Sequence, residues 1–181
     1  MVNICYMKHK SFLLLIPALF VALGARLNAQ ELSNTMIRVT SPAFNQAERI
    51  PQKYTCDGSN ANPTLQISDI PEGTRSLAVM VDDPDAPMGN FNHWIMWNIS
   101  PDIMEISENS TLPGAITGIN DAGKNGYVGP CPPLGTHRYI FRVIALNGEL
   151  DLPETARKAD LENAMQGKII GEGELIGKYS R

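Results

Sequence analysis

A single domain built mostly of β-strands is the fold class this sequence predicts, and three observations carry it. Segments Ser76 to Val81, His93 to Ile99 and Tyr139 to Leu146 are strand-length runs rich in β-branched and aromatic residues. Only one stretch, Glu154 to Lys168, places apolar residues (Ala156, Ala159, Leu161, Ala164, Met165) at helical spacing. Neither a linker nor an internal repeat divides the 181 residues. Their 43% hydrophobic and 19% charged content suits one packed core, not a disordered or solenoid chain.

The elements follow in chain order. Lys8, His9 and Lys10 precede the uncharged apolar run Ser11 to Ala25, and Arg26-Leu27-Asn28-Ala29 ends in a small residue. That is the layout of an export signal, with cleavage expected near Ala29–Gln30. The rival is a retained anchor, which needs about 20 apolar residues where this run is about 15. Cys5 lies before the run, so it is not the lipidated cysteine of a bacterial lipoprotein. Residues 1–29 are expected to be a signal peptide and 30–181 the mature domain. Ile37 to Thr40 alternates and stops at Ser41-Pro42, and Leu65-Gln66-Ile67 alternates before a turn from Asp69 to Gly73. Ser76 to Val81 is apolar on both faces and therefore expected at the centre of a sheet. In the next strand, alternation puts His93 with Ile95, Trp97 and Ile99, and Trp94, Met96 and Asn98 opposite. In the third, His137, Tyr139, Phe141 and Val143 share a face. The helix Glu154 to Lys168 then leads to a last strand, Glu174 to Tyr179.

Charge and rare residues narrow the function. The whole chain carries −4; without residues 1–29 it has 12 basic and 19 acidic residues, or −7, which excludes a nucleic-acid-binding surface. Two histidines (His93, His137) and two cysteines (Cys56, Cys131) remain. From Asn109 to Gly135 there are six Gly and four Pro with little periodicity, a connection long enough to be functional. It ends in Gly129-Pro130-Cys131-Pro132-Pro133, whose prolines restrict the backbone. A formed pocket wall fits this better than a floppy insertion. In Val81-Asp82-Asp83-Pro84-Asp85-Ala86-Pro87 a central strand ends in three carboxylates and two prolines. By itself that reads as a stiff turn in which Asp side chains cap backbone N–H groups. Each histidine alone also reads as structural; both at strand starts, beside these loops, mark a candidate site.

Together these segments resemble the phosphatidylethanolamine-binding protein family, which includes the Raf kinase inhibitor-like proteins. The resemblance is carried by Asp83-Pro84-Asp85-Ala86-Pro87, by Asn92-His93-Trp94, and by Gly129-Pro130-Cys131-Pro132-Pro133 with Gly135-Thr136-His137-Arg138-Tyr139. Tyr54-Thr55-Cys56-Asp57-Gly58 and the closing Glu174 to Tyr179 resemble its bacterial and archaeal branch. The match runs from about residue 35 to the C-terminus. It implies an antiparallel β-sandwich with a short C-terminal helical segment and a small anion cavity, such as one for the phosphate of a phospholipid head group. Carried over, that cavity would be lined by Asp83, Asp85, Ala86, Pro87, His93, Val128, Gly129, Pro130, Pro132, Pro133, His137 and Tyr139. The family's cis peptide would fall at Ala86–Pro87. Vertebrate members add a helix over the pocket after the last strand; here Arg181 follows that strand, and a more open pocket is expected.

A chain at −7 does not attract anions from a distance, so local donors must do the binding. His93 and His137 are expected to donate, with Asp83 or Asp85 orienting a tautomer. The Tyr139 O–H and loop N–H groups would complete the cradle. The same carboxylates could meet an ammonium group, which suits a zwitterionic ligand. Cys56 and Cys131 are either bonded to one another or two free thiols. Three rivals stand beside this reading: a Cys131–His137 nucleophile pair, a metal site on His93, His137 and Asp or Cys131, and a protein-interaction module of the protease- or kinase-inhibitor kind. Cys131 is fenced by prolines, and no Cys-x-x-Cys or His-x-x-x-His spacing supports a metal. The expectation is a periplasmic or secreted protein, monomeric or a weak homodimer, binding a small anionic or zwitterionic phospho-ligand without chemistry. No catalytic residue, cofactor, metal, nucleic acid or stable membrane insertion is expected, and no protein target is named.

Overall fold

The computed structural model describes residues 36–181; the expected signal peptide, 1–29, lies outside them. Two antiparallel sheets stack as a sandwich. The smaller has the order β1 (Arg38–Thr40), β2 (Leu65–Ser68), β5 (Glu105–Ile106). The larger runs β6 (Ile116–Thr117), β4 (Phe91–Ile99), β3 (Ser76–Asp83), β7 (Thr136–Leu146), β8 (Ile169–Ser180). β3 is buried along its whole length, as its two apolar faces predict. One face (Leu77, Val79, Val81) meets the small sheet's Val39, Leu65, Ile67 and Ile106. The other (Ala78, Met80) lies under helix α1 (Lys158–Met165), with Trp97, Ile144 and Leu161. No helix among the described residues is long and apolar enough to cross a membrane.

Simple alternation fails twice in β4, and both failures matter. Val81 of β3 pairs with Trp94 and Asp82 with Asn92, which leaves His93 outside the ladder as a bulge residue. A bulge re-aims a side chain, so His93 leaves the face of Ile95 and Trp97 and sets its ring edge against Tyr139, 5.2 Å between centroids. A second bulge, between the Leu77–Ile99 and Val79–Met96 pairs, contains Asn98 at φ 56° and turns Ile99 onto the Trp94 side.

Other elements depart from expectation for local reasons. α1 starts four residues late, because Ala156 closes a turn onto Pro153 and Asp160 accepts the Arg157 N–H at 2.9 Å, fixing the first turn there. β8 begins at Ile169, well before Glu174, although its glycines suggest a break. A Cβ at Gly173 would collide with the Ile37 carbonyl and one at Gly177 with Ile50 and Phe44, so these glycines admit close packing. The expected cis bond at Ala86–Pro87 is absent: no peptide among the described residues is cis. Ala86 O accepts the Gly89 N–H at 3.0 Å, placing Pro87 second in a four-residue turn, where a trans proline already has the required φ.

Candidate functional site

The three carboxylates at the end of β3 diverge to three partners. Asp82 points to the helix side, where it accepts from Lys158 Nζ at 2.9 Å and Asn92 Nδ2 at 3.0 Å. Asp83 points the other way, its Oδ2 2.7 Å from His137 Nδ1, with both side chains at least 92% buried. Its second oxygen accepts the Asp85 N–H, the capping role expected of an Asp in a turn. Asp85 is held by the Arg138 guanidinium at 2.6 and 2.8 Å and by the Arg138 backbone N–H. Those bonds, above all to the guanidinium, hold its carboxyl down to about 2.

The wall opposite is the segment 126–131, pinned to residues 54–60 at four points. Tyr127 O–H donates to Tyr54 O (3.0 Å), Gly129 N–H to Asn60 Oδ1 (2.7 Å) and Cys56 N–H to Pro130 O (3.1 Å). Cys56 and Cys131 are joined by a disulfide, Cα atoms 5.5 Å apart. The stretch from Asn109 thus ends in a formed wall. Gly129 has to be glycine there: a Cβ would sit 2.8 Å from Thr55 Cα and Tyr54 O. Val128 faces His93 and exchanges two bonds with it, N–H to His93 O at 3.0 Å and carbonyl to His93 Nδ1 at 2.7 Å.

Between wall and strand ends lies a cavity of about 210 Å³. Nine of the twelve expected residues line it: Asp83, Ala86, Pro87, His93, Val128, Gly129, Pro132, Pro133 and His137. Three do not. Asp85 is drawn away by Arg138, and Pro130 packs behind the wall with its carbonyl on Cys56. Tyr139 is wholly buried behind His93, with no close hydrogen-bond partner for its hydroxyl among the described residues; burial, then the Asp83 charge, pushes its phenol up. Phe91 and Cys131 line the cavity and were not among the expected residues. Phe91 stands two before His93 on the same strand, and Cys131 between two expected prolines, so both signals were present.

Both imidazoles use Nδ1 to bond protein acceptors. A carbonyl only accepts, so His93 Nδ1 carries a proton; His137 Nδ1 likewise donates to the Asp83 carboxylate. Nε2 of each is left without a protein partner among the described residues, on side chains that line the cavity. Burial, between the Phe91 and Tyr139 rings, lowers the His93 pKa, so it is neutral at pH 7 and offers Nε2 as an acceptor. The loop supplies little of the expected N–H cradle: Val128 and Gly129 N–H are engaged, and Pro130, Pro132 and Pro133 have none. Asp83 and Asp85 already accept hydrogen bonds on both oxygens, from His137, the Asp85 N–H and Arg138. Among the described residues, no three His, Cys, Asp or Glu side chains are grouped to hold a metal ion.

Two turns flank the mouth, Pro87-Met88-Gly89 and Pro133-Leu134-Gly135. Each is a proline from the cavity wall, a large exposed apolar residue and a glycine at positive φ.

Residues 40–180 match the family model described as phosphatidylethanolamine-binding protein. A UPF0098 protein of Methanothermobacter thermautotrophicus is 49% identical over 144 residues, covering 77% of this chain and 95% of that one. One from Aquifex aeolicus is 44% identical over 153 residues, covering 81% and 90%. Among solved structures, a phosphatidylethanolamine-binding protein homolog of Chlamydia trachomatis superposes with a TM-score of 0.78 at 39% identity, covering 81% of this chain and 99% of that one. E. coli YbcL, described as a member of the mammalian family, gives 0.76 at 30%, covering 80% and 98%. With its sandwich, its paired histidines and these relatives, the chain belongs to the phosphatidylethanolamine-binding protein family, a small ligand-binding or interaction module.

Proposed function

We propose that this is an exported binding protein whose cavity takes the phosphate of a small phospho-ligand, such as a phospholipid head group, without chemistry on it. The observation that carries the reading is the arrangement of His93 and His137: each Nδ1 is fixed to the protein and each Nε2 is free at the cavity. Asp83 fixes the His137 ring through Nδ1, which leaves Nε2 for a phosphate oxygen. His93 accepts from a protonated phosphate oxygen or, once protonated, donates to it. Asp83 and Asp85 are already bonded to His137 and Arg138, so phosphate is the part of a zwitterionic head group that the cavity grips. The exposed Met88 and Leu134 at the mouth suit the apolar part of such a ligand. Cys131 is bonded to Cys56, which withdraws the thiolate that a Cys–His hydrolase would need. The disulfide also fits an oxidising compartment, in keeping with the expected export signal.

A thermal-shift titration with phosphate, phosphoethanolamine, phosphocholine and a short-chain phospholipid tests the reading. His93→Asn and His137→Asn serve as variants, because an Asn amide can stand in for the Nδ1 donor while removing Nε2. Phospho-ligands should raise the parent's melting temperature, and neither variant should respond. No rise at millimolar ligand, or an equal rise in the variants, would refute it.

A further inference from the structure

A second cavity, of about 240 Å³, lies on the other side of the wall segment 126–129. Its floor is Trp94, Met96 and Tyr127, with the two aromatic rings edge-to-face at 6.0 Å. Leu112 and Ala115 add apolar surface from the loop above. No lining side chain is charged. The polar rim divides in two. Asn62 is fully engaged, its amide donating to Pro63 and Ser107 carbonyls and accepting the Asn109 N–H. Asn60 Nδ2, the Asn109 side-chain amide and the Thr111 and Thr117 hydroxyls have no hydrogen-bond partner among the described residues, although Asn60 Oδ1 holds Gly129.

We propose that this cavity is a second ligand site, for a neutral hydroxylated ring of the monosaccharide class. A charged ligand would give up hydration with no opposite charge to meet it. A wholly apolar one would cover amides and hydroxyls and leave them unpaired. A sugar ring satisfies both halves: its C–H groups pack into the corner between Tyr127 and Trp94, and its hydroxyls bond the free amides and threonines. Asn60 and Tyr127 also fix the wall of the phosphate cavity, so the two cavities share that wall.

Saturation-transfer NMR on the mature protein, with glucose and N-acetylglucosamine as probes and glucuronate as charged control, tests this. Asn109→Gly removes the free amide while keeping φ 54° and the backbone N–H bond to Asn62, and Thr117→Val removes a hydroxyl at equal shape. At least one neutral probe should bind the parent and shift the Trp94 indole resonance, which locates it without any mutation. The double variant should bind about tenfold more weakly with its melting temperature unchanged. Absence of binding by both neutral probes, equal binding of glucuronate, or a bound probe that leaves the Trp94 signal unmoved would overturn the proposal. The phosphate reading stands or falls separately, on His93 and His137.

Discussion

Breaking the Cys56–Cys131 bond should lower stability greatly while leaving the phosphate cavity formed. The bond closes a loop of about 76 residues, and on the chain-entropy estimate such a crosslink stabilises by about 4.5 kcal/mol at 25 °C. Unfolding entropy of roughly 2 cal/mol/K per residue over the described region gives roughly 0.3 kcal/mol/K, so the melting temperature should fall by roughly 15 °C. Both cysteines are exposed, so a serine at either position meets water and adds no burial cost. Cys56→Ser, Cys131→Ser and the double variant should therefore melt together, since each removes the same crosslink. The wall keeps its bonds from Asn60, Tyr127 and the Cys56 N–H, so a phosphate-induced rise should persist in all three. Calorimetry of the parent, oxidised and reduced, and of the variants makes the measurement. A fall of less than about 5 °C, or single variants that differ widely from one another, would refute the reasoning.

Three further outcomes follow from the site. Burial depresses the folded-state pKa of His93, so the unfolded chain binds that proton more readily; stability is complete above about 6.5 and declines as pH falls towards the depressed value. His93→Asn should flatten that decline in a melting-temperature profile, and sulfate, dianionic throughout, should raise the parent's melting temperature more as pH falls; identical profiles would contradict the assignment. Gly129→Ala should cost about 1–3 kcal/mol in urea unfolding and weaken phosphate binding, because backbone at Tyr54 and Thr55 stands within 2.8 Å of the new Cβ; an unchanged midpoint would show that the wall yields. Tyr139→Phe removes a buried hydroxyl that has no close hydrogen-bond partner among the described residues, so stability should hold or rise by up to about 1 kcal/mol; a loss above about 1 kcal/mol would reveal a hydrogen bond to that hydroxyl, as from Asp83 or Cys131.

Much of the fold was legible because it is written locally. β3 announced its central place by apolar residues on both faces, and Tyr139, Phe141 and Val143 reached the inter-sheet core as their spacing required. The prolines after Gly129 announced a wall. α1 was legible as a helix but not in its start, which a turn onto Pro153 decides. β5 and β6 are two residues each, too short to carry a period. β8 was concealed by glycines that are needed only because Ile37, Ile50 and Phe44 press against them.

For the site, the sequence by itself determined which groups are available: two imidazoles, three neighbouring carboxylates, a proline-rich loop and two cysteines. Tertiary structure decided how they are distributed. Asp82, Asp83 and Asp85 look alike in the chain, yet one meets Lys158, one His137 and one Arg138, because successive strand residues face opposite ways and Asp85 lies in the turn beyond. His93 leaves its alternation face through a bulge that no local pattern encodes, since a bulge is a mismatch of register between two strands. Side-chain chemistry belongs to the residue, whereas partner, burial and tautomer belong to segments brought together across the fold. Composition could therefore name the donors, and only the packed structure could show that each histidine keeps Nδ1 for the protein and leaves Nε2 to the cavity.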